Sequence, residues 1–197
     1  MMKRTSALPL LLVAAGLSSC VMPVPSRPPE REGLVPPPPR RILPPAIGAN
    51  RPARGLWEID RVAQRVARAT GKPLVVTVQE NPNPNGSVAS MFHRANGGRI
   101  VLNPRAARRI PLNAWAFIFG HEFAHHVHHF GNRGHTDPEQ ELRADILGAE
   151  YAMAAGYELV PYLRWMLANS GAYTRSHGSM HERAYAVARH FGVSGEL

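Results

Sequence analysis

The chain has a single cysteine, Cys20, among its 197 residues. One thiol excludes an intramolecular disulfide framework and any zinc site built on paired cysteines. Aromatic residues are scarce at 7% and charged residues modest at 19%, while hydrophobic residues reach 44%, which suits one folded globule rather than a disordered chain. No stretch after the first twenty residues approaches a membrane-spanning apolar run, so the remainder is expected to be soluble. The net charge of +9 invites a nucleic-acid reading, but its location weakens it. Residues 20–53 hold five Arg against two Glu, and residues 54–197 hold 16 Lys and Arg against 12 Asp and Glu. No basic run is interleaved with aromatics, and no zinc-finger or RNP-like pattern is present. Nucleic acid is not the expected partner.

Lys3 and Arg4 precede the apolar run Ala7–Leu17, too short to span a bilayer but suited to the core of a signal peptide. The run ends in Leu17-Ser18-Ser19-Cys20, which resembles the lipobox of bacterial lipoprotein signal peptides. The resemblance implies cleavage before Cys20, acylation of its sulfur and its new amino group, and attachment to a lipid bilayer. Val21 after the cysteine implies the outer membrane, with the domain facing the periplasm. The alternative is an ordinary secretory signal with a chance cysteine. Residues 21–53 contain eleven prolines, including Pro36–Pro39, and favour an extended spacer. The expected organisation is therefore a signal peptide at 1–19, a lipidated cysteine and linker at 20–53, and one domain at 54–197.

Within that domain, Leu56, Ile59, Val62, Ala63 and Val66 recur at helical spacing, closed by Gly71 and Pro73. Leu74–Gln79 is short and β-branched, which predicts a strand. Val88–His93 and Arg99–Asn103 flank Asn96-Gly97-Gly98, a hairpin signal. Helices are predicted from Leu112 to about His129, from Pro138 to Ala155 with Gly156 as the stop, over Tyr157–Asn169, and over Met180–Phe191. The expected fold is α+β, a small antiparallel sheet or hairpin packed on a mainly helical domain.

The helix beginning at Leu112 contains Gly120-His121-Glu122-Phe-Ala-His125-His126. His121 and His125 are four residues apart, so both imidazoles leave one helical face and can grip a single ion. Glu122 lies beside them, where its carboxylate can reach a water on that ion. Trp115, Phe117, Ile118, Phe119 and Phe123 would bury the helix and make both histidines interior. Neutral imidazole and carboxylate suit one zinc ion per chain, and a catalytic zinc keeps three protein ligands and an open position. Glu141-Leu-Arg-Ala-Asp145 supplies a Glu and an Asp on one face of the next helix. Glu141 is assigned to the metal and Asp145 to the ring N–H of a metal-bound histidine. The competing reading is a solvated acidic face paired with Arg143. Glu139 has no Asp four residues on and ranks below Glu141. Ala144 and Gly148 are small enough to let the two helices approach closely.

HExxH followed by ExxAD resembles the gluzincin metallopeptidases, in particular the CAAX-prenyl and HtpX-type proteases (metallopeptidase family forty-eight), over roughly residues 56–192. In that family a later His-Pro segment is followed by an Arg six residues after the histidine. Ser176-His177-Gly178 through Arg183 keeps the interval and has Gly where proline is usual. The resemblance implies that His177 donates a hydrogen bond to the oxyanion and that Arg183 braces the site. It also implies a zincin-like domain around the HExxH helix. The Asn-Ala-Phe segment of many relatives appears only as Asn85-Gly86-Ser87-Val88, and the short interval from His125 to Glu141 leaves no room for a long insertion.

The leading expectation is a zinc endopeptidase acting on polypeptides of the cell envelope, with Glu122 as general base. An extended substrate is expected to add to the sheet edge near Arg99–Asn103. Rival readings are a non-catalytic metal-binding lipoprotein, such as a chaperone or assembly factor, and a hydrolase of peptidoglycan peptides. His126, His128, His129 and His135 raise the question of a second metal site, against the commoner reading of surface histidines. Arg105, Arg108 and Arg109 read as a solvated face, the lesser alternative being contact with phospholipid headgroups.

Overall fold

A computed structural model describes residues 43–80, 89–94, 97–128, 138–170, 173–174 and 178–197. Helix α1 covers Leu56–Ala69 and buries Ile59, Val62, Ala63 and Val66, the residues whose spacing predicts it. Strands β1 (Val75–Glu80), β2 (Ala89–Arg94) and β3 (Gly97–Leu102) form one sheet in the order β1-β3-β2. A short turn of helix, α2 (Pro104–Ala107), leads into the central helix α3 (Leu112–His128). Helices α4 (Pro138–Ala154), α5 (Leu159–Ala168) and α6 (Met180–His190) follow. A two-stranded ribbon of β4 (Tyr173–Thr174) and β5 (Gly178–Ser179) precedes α6. The fold is mixed and mainly helical.

The expectation of an antiparallel sheet is corrected. β2 and β3 pair antiparallel with Arg94 opposite Gly97, but β1 runs parallel to β3, with Val75 opposite Gly97 and Glu80 opposite Leu102. The Asn96-Gly97-Gly98 signal specifies only the local hairpin. No local pattern says that β3 inserts between β1 and β2, because that order is decided by which edge buries Ile100 and Leu102, both fully enclosed. A second consequence follows. The Arg99–Asn103 segment lies on the central strand, so a substrate strand cannot add there, and the outer strands are β1 and β2.

α3 is the spine of the core and packs against α1, α4, α5 and β2. Trp115, Phe117, Phe119 and Phe123 are fully buried, whereas Ile118 is only partly so. Trp115 stacks on Phe119 at 5.5 Å and Phe117 on Tyr162 at 4.3 Å. Each such ring contributes on the order of 2 kcal/mol through burial, enough to hold a helix that carries two histidines and a glutamate in its second half.

Residues 43–53, expected in the linker, are hydrogen-bonded into the domain. The Leu43 N–H donates to the Ala154 carbonyl, Ala46 to Gly156, and Asn113 and Leu112 donate back to Ala49 and Arg51. Gly156 ends α4 at φ +85, where an added Cβ would strike the Pro44 carbonyl, so this stop is also a packing site. Among the described residues no helix is long and apolar enough to cross a membrane. The Cys20 lipobox, the Asn85-Gly86-Ser87-Val88 segment and His177 lie outside the described residues.

Candidate metal centre

α3 and α4 cross where both carry glycine. An added Cβ on Gly148 would lie 2.6 Å from the Gly120 carbonyl carbon and 2.8 Å from the His121 Cα. Only two glycines permit this approach, and it sets the metal-ligand candidates of both helices face to face. The small-residue signal at Gly148 is readable from sequence. Its partner Gly120 is not named by the motif, although a glycine inside an otherwise bulky helix is the available signal.

Three side chains converge at the crossing. His121 Nε2 lies 3.0 Å from His125 Nε2 and 3.4 Å from Glu141 Oε2, and His125 Nε2 lies 3.5 Å from Glu141 Oε1. Four-coordinate zinc with bonds of about 2.0–2.1 Å places its ligands about 3.3–3.4 Å apart. The observed triangle therefore has edges of the right length for three corners of one tetrahedron. Glu141 is 1% exposed and His125 is buried. Among the described residues, these three form the one group of His, Cys, Asp and Glu able to hold a metal ion.

Around the triangle, Asp145 Oδ1 lies 2.9 Å from His121 Nδ1. A neutral His121 in that contact carries its proton on Nδ1 and points the Nε2 lone pair at the triangle. Arg183 from α6 donates to both oxygens of Asp145, Nε to Oδ2 at 2.6 Å and Nη2 to Oδ1 at 2.7 Å, and sits 3.9 Å from Glu141. The two-pronged contact holds the carboxylate in one plane. Of the residues picked out by sequence, the structure thus brings together His121, His125, Glu141, Asp145 and Arg183. Glu139 and Arg143 are exposed, away from the buried triangle. His128 Nε2 lies 3.0 Å from the Tyr151 hydroxyl, and His129 and His135 lie outside the described residues.

The electrostatics follow from burying several charges together. For His121, burial opposes the imidazolium, but hydrogen bonds to Asp145 and Glu141 outweigh it and raise the pKa to about 9 in the absence of a cation. Burial pushes Glu122 up, opposed by the charges of His121 and His125 and reinforced by Glu141. Burial pushes Asp145 up as well, yet hydrogen bonds from His121 and Arg183 leave it below the ordinary carboxylate range. Tyr162 is a site neighbour that sequence reasoning missed. It is buried against Phe117 and raised first by burial and then by the charge of Asp145.

Comparison with known proteins gives no match: no family model matches the chain, nor does any curated protein or solved structure.

Proposed function

We propose that this chain is a zinc-dependent endopeptidase, tethered in the cell envelope through an acylated Cys20, that hydrolyses peptide bonds of envelope polypeptides. The observation that carries the reading is the buried triangle of two imidazole nitrogens and a carboxylate with edges of 3.0, 3.4 and 3.5 Å. Two imidazoles and one carboxylate favour zinc over calcium or magnesium, which prefer oxygen donors. A purely structural site would gain nothing from a third acidic residue next to the ligands, yet Glu122 stands there.

A bound zinc ion supplies Lewis acidity to a water and to the scissile carbonyl. The protein's own groups do the rest. His121, His125 and Glu141 present their donor atoms inward, and Asp145 keeps the His121 proton on Nδ1 while Arg183 keeps Asp145 from turning. Glu122, raised by burial, accepts the proton of the attacking water at its carboxylate and returns it to the leaving amine. The edge strand packed against α3 is β2, and its outer edge offers backbone groups to an extended substrate.

The test is a purified full-length chain measured for zinc content and for hydrolysis of an unfolded casein-like protein and of cell-wall peptides. Glu122→Gln should abolish turnover and keep zinc, and His125→Ala should lose zinc. A Glu122→Gln variant as fast as the parent would refute the mechanism. Stoichiometric zinc with no hydrolysis of either substrate would favour a non-catalytic metal-binding lipoprotein, and release of cell-wall fragments alone would move the substrate to peptidoglycan.

A further inference from the structure

Along the flank of α1, a cleft of about 360 Å³ opens between that helix and the Pro45–Ala49 segment. Its lining combines two features that seldom share a solvated surface. Ile47 is 98% exposed and Trp57 is 57% exposed, two of the three large hydrophobic side chains exposed among the described residues. Around them stand Arg51, Arg61, Arg65 and Arg68, with Glu58 as the acid of the lining. Glu58 is engaged by Arg51 through bonds of 2.6 and 2.9 Å, so three positive charges remain in surplus. Asp60, on the flank of the same helix, is the only other acid of α1.

The arrangement is built into the helix. Positions 57, 61, 65 and 68 recur every three or four residues and so form one stripe along α1. Arg61 lies over the Trp57 ring at 5.1 Å, and Arg65 is fixed by donating to the Ala155 and Pro44 carbonyls while lying 5.8 Å over the Tyr157 ring. Leu43, the first described residue, is hydrogen-bonded to Ala154, and Pro45–Ala49 form a wall of the cleft.

We propose that this face docks the domain on an anionic phospholipid surface, the arginines taking lipid phosphates and Ile47 and Trp57 entering the headgroup layer. An exposed indole and an exposed aliphatic side chain beside a stripe of guanidinium groups match an interface that is anionic outside and apolar within. An acidic protein or a nucleic acid would satisfy the arginines and leave Ile47 without an apolar partner. The inference does not depend on the peptidase reading, because none of its residues belongs to the metal centre.

The experiment uses the full-length chain with vesicles of phosphatidylcholine alone or mixed with phosphatidylglycerol, carrying brominated acyl chains that quench nearby indoles. Trp115 is fully buried and Trp165 partly so, which leaves Trp57 as the responsive fluorophore. Quenching should appear with the anionic vesicles and be largely lost in Trp57→Phe. In Arg61→Ala/Arg68→Ala the lipid concentration at half-quenching should rise about thirtyfold, with zinc content unchanged. Equal quenching by neutral vesicles, full quenching in Trp57→Phe, or an unmoved midpoint in the arginine variant would each overturn the proposal, as would absence of quenching altogether.

Discussion

Replacing Gly148 by alanine adds one methyl group, and on helix propensity alone it should stabilise α4 by about 1 kcal/mol. The crossing of α3 and α4 reverses that sign. The new Cβ would sit 2.6 Å from the Gly120 carbonyl carbon and 2.8 Å from the His121 Cα, where ordinary contact begins at 3.4 Å. Both obstacles are backbone atoms, so no side-chain rotation relieves the clash, and the helices must part by at least about 0.8 Å. Glu141 rides on α4 and the histidines on α3, so the 3.4 and 3.5 Å edges of the triangle open toward about 4.2 Å. Two donors that far apart reach one ion with bonds of about 2.1 Å only from opposite sides of it, which tetrahedral zinc does not allow. Metal sites tolerate deviations of about 0.2 Å. Gly148→Ala should therefore weaken zinc binding by at least about tenfold and cost about 1–3 kcal/mol of stability in the metal-free protein. Competition with a chromogenic chelator reads the first effect and urea unfolding in chelator reads the second. Gly195→Ala serves as the control, since nothing lies within 4 Å of a Cβ there. A Gly148→Ala protein that binds zinc like the parent and unfolds at higher urea would refute the close-crossing account.

Asp145→Asn removes the carboxylate shared by His121 and Arg183 and should lower zinc affinity about 10- to 100-fold, measured by the same chelator competition; unchanged affinity would show that the His121 tautomer needs no support. Because His121 is raised to about 9 without a cation, the metal-free chain should hold that proton at about pH 8 and release roughly nine-tenths of one proton from it when zinc enters. Calorimetric titrations in buffers of different ionisation enthalpy would count it, and a count near zero would contradict the hydrogen bonds to Asp145 and Glu141. Glu58 is held down at about 2 by hydrogen bonds from Arg51 and then from the Arg54 N–H, so its contribution to stability is fully present above 4.5 and lost as pH falls toward 2. Thermal melts across that range should show a steeper acid loss in the parent than in Glu58→Gln, and parallel curves would remove Glu58 from the account.

The five helices of ten or more residues were legible because each carries its own instructions, whereas the short α2 was not predicted. The apolar spacing of α1, Pro138 at the start of α4 and Gly156 at its end are local signals, and the observed limits fall within a residue or two of those the sequence predicts. His121, His125 and Glu141 were legible for a similar reason, since four-residue spacing fixes a helical face. Sheet order was not, because the position of β1 depends on contacts between segments far apart in sequence. Proline content places the boundary near residue 53, yet Pro44, Pro45 and Pro52 lie in a segment held by backbone hydrogen bonds to α3 and α4. Composition reports that such a segment is neither helix nor strand and says nothing of whether it packs. Tyr162 was hidden for a third reason. An aromatic in a helix reads as core, and only the fold reveals that its ring lies in the field of Asp145 and Arg183.

Charge explains why the triangle suits a cation rather than a network of hydrogen bonds alone. Glu141 and Asp145 are buried carboxylates, Glu122 is a third acid partly buried beside them, and Arg183 is the arginine that reaches this group of side chains. Counted together, these four groups carry two surplus negative charges in a poorly solvated place, an arrangement that costs several kcal/mol unless compensated. Without a cation, the geometry compensates in part by raising His121 to about 9, which favours a positive charge between Asp145 and Glu141, while burial pushes the Glu122 carboxyl upward. A divalent ion held by His121, His125 and Glu141 would supply both charges at once and would return His121 to the neutral form that ligation requires. The charge of that ion would also favour the ionised form of Glu122. Under the proposed peptidase function, one event would thus ready the histidine as a ligand and the glutamate as a base, and the Asp145–Arg183 pair, already neutral as a unit, would need no rearrangement to permit it.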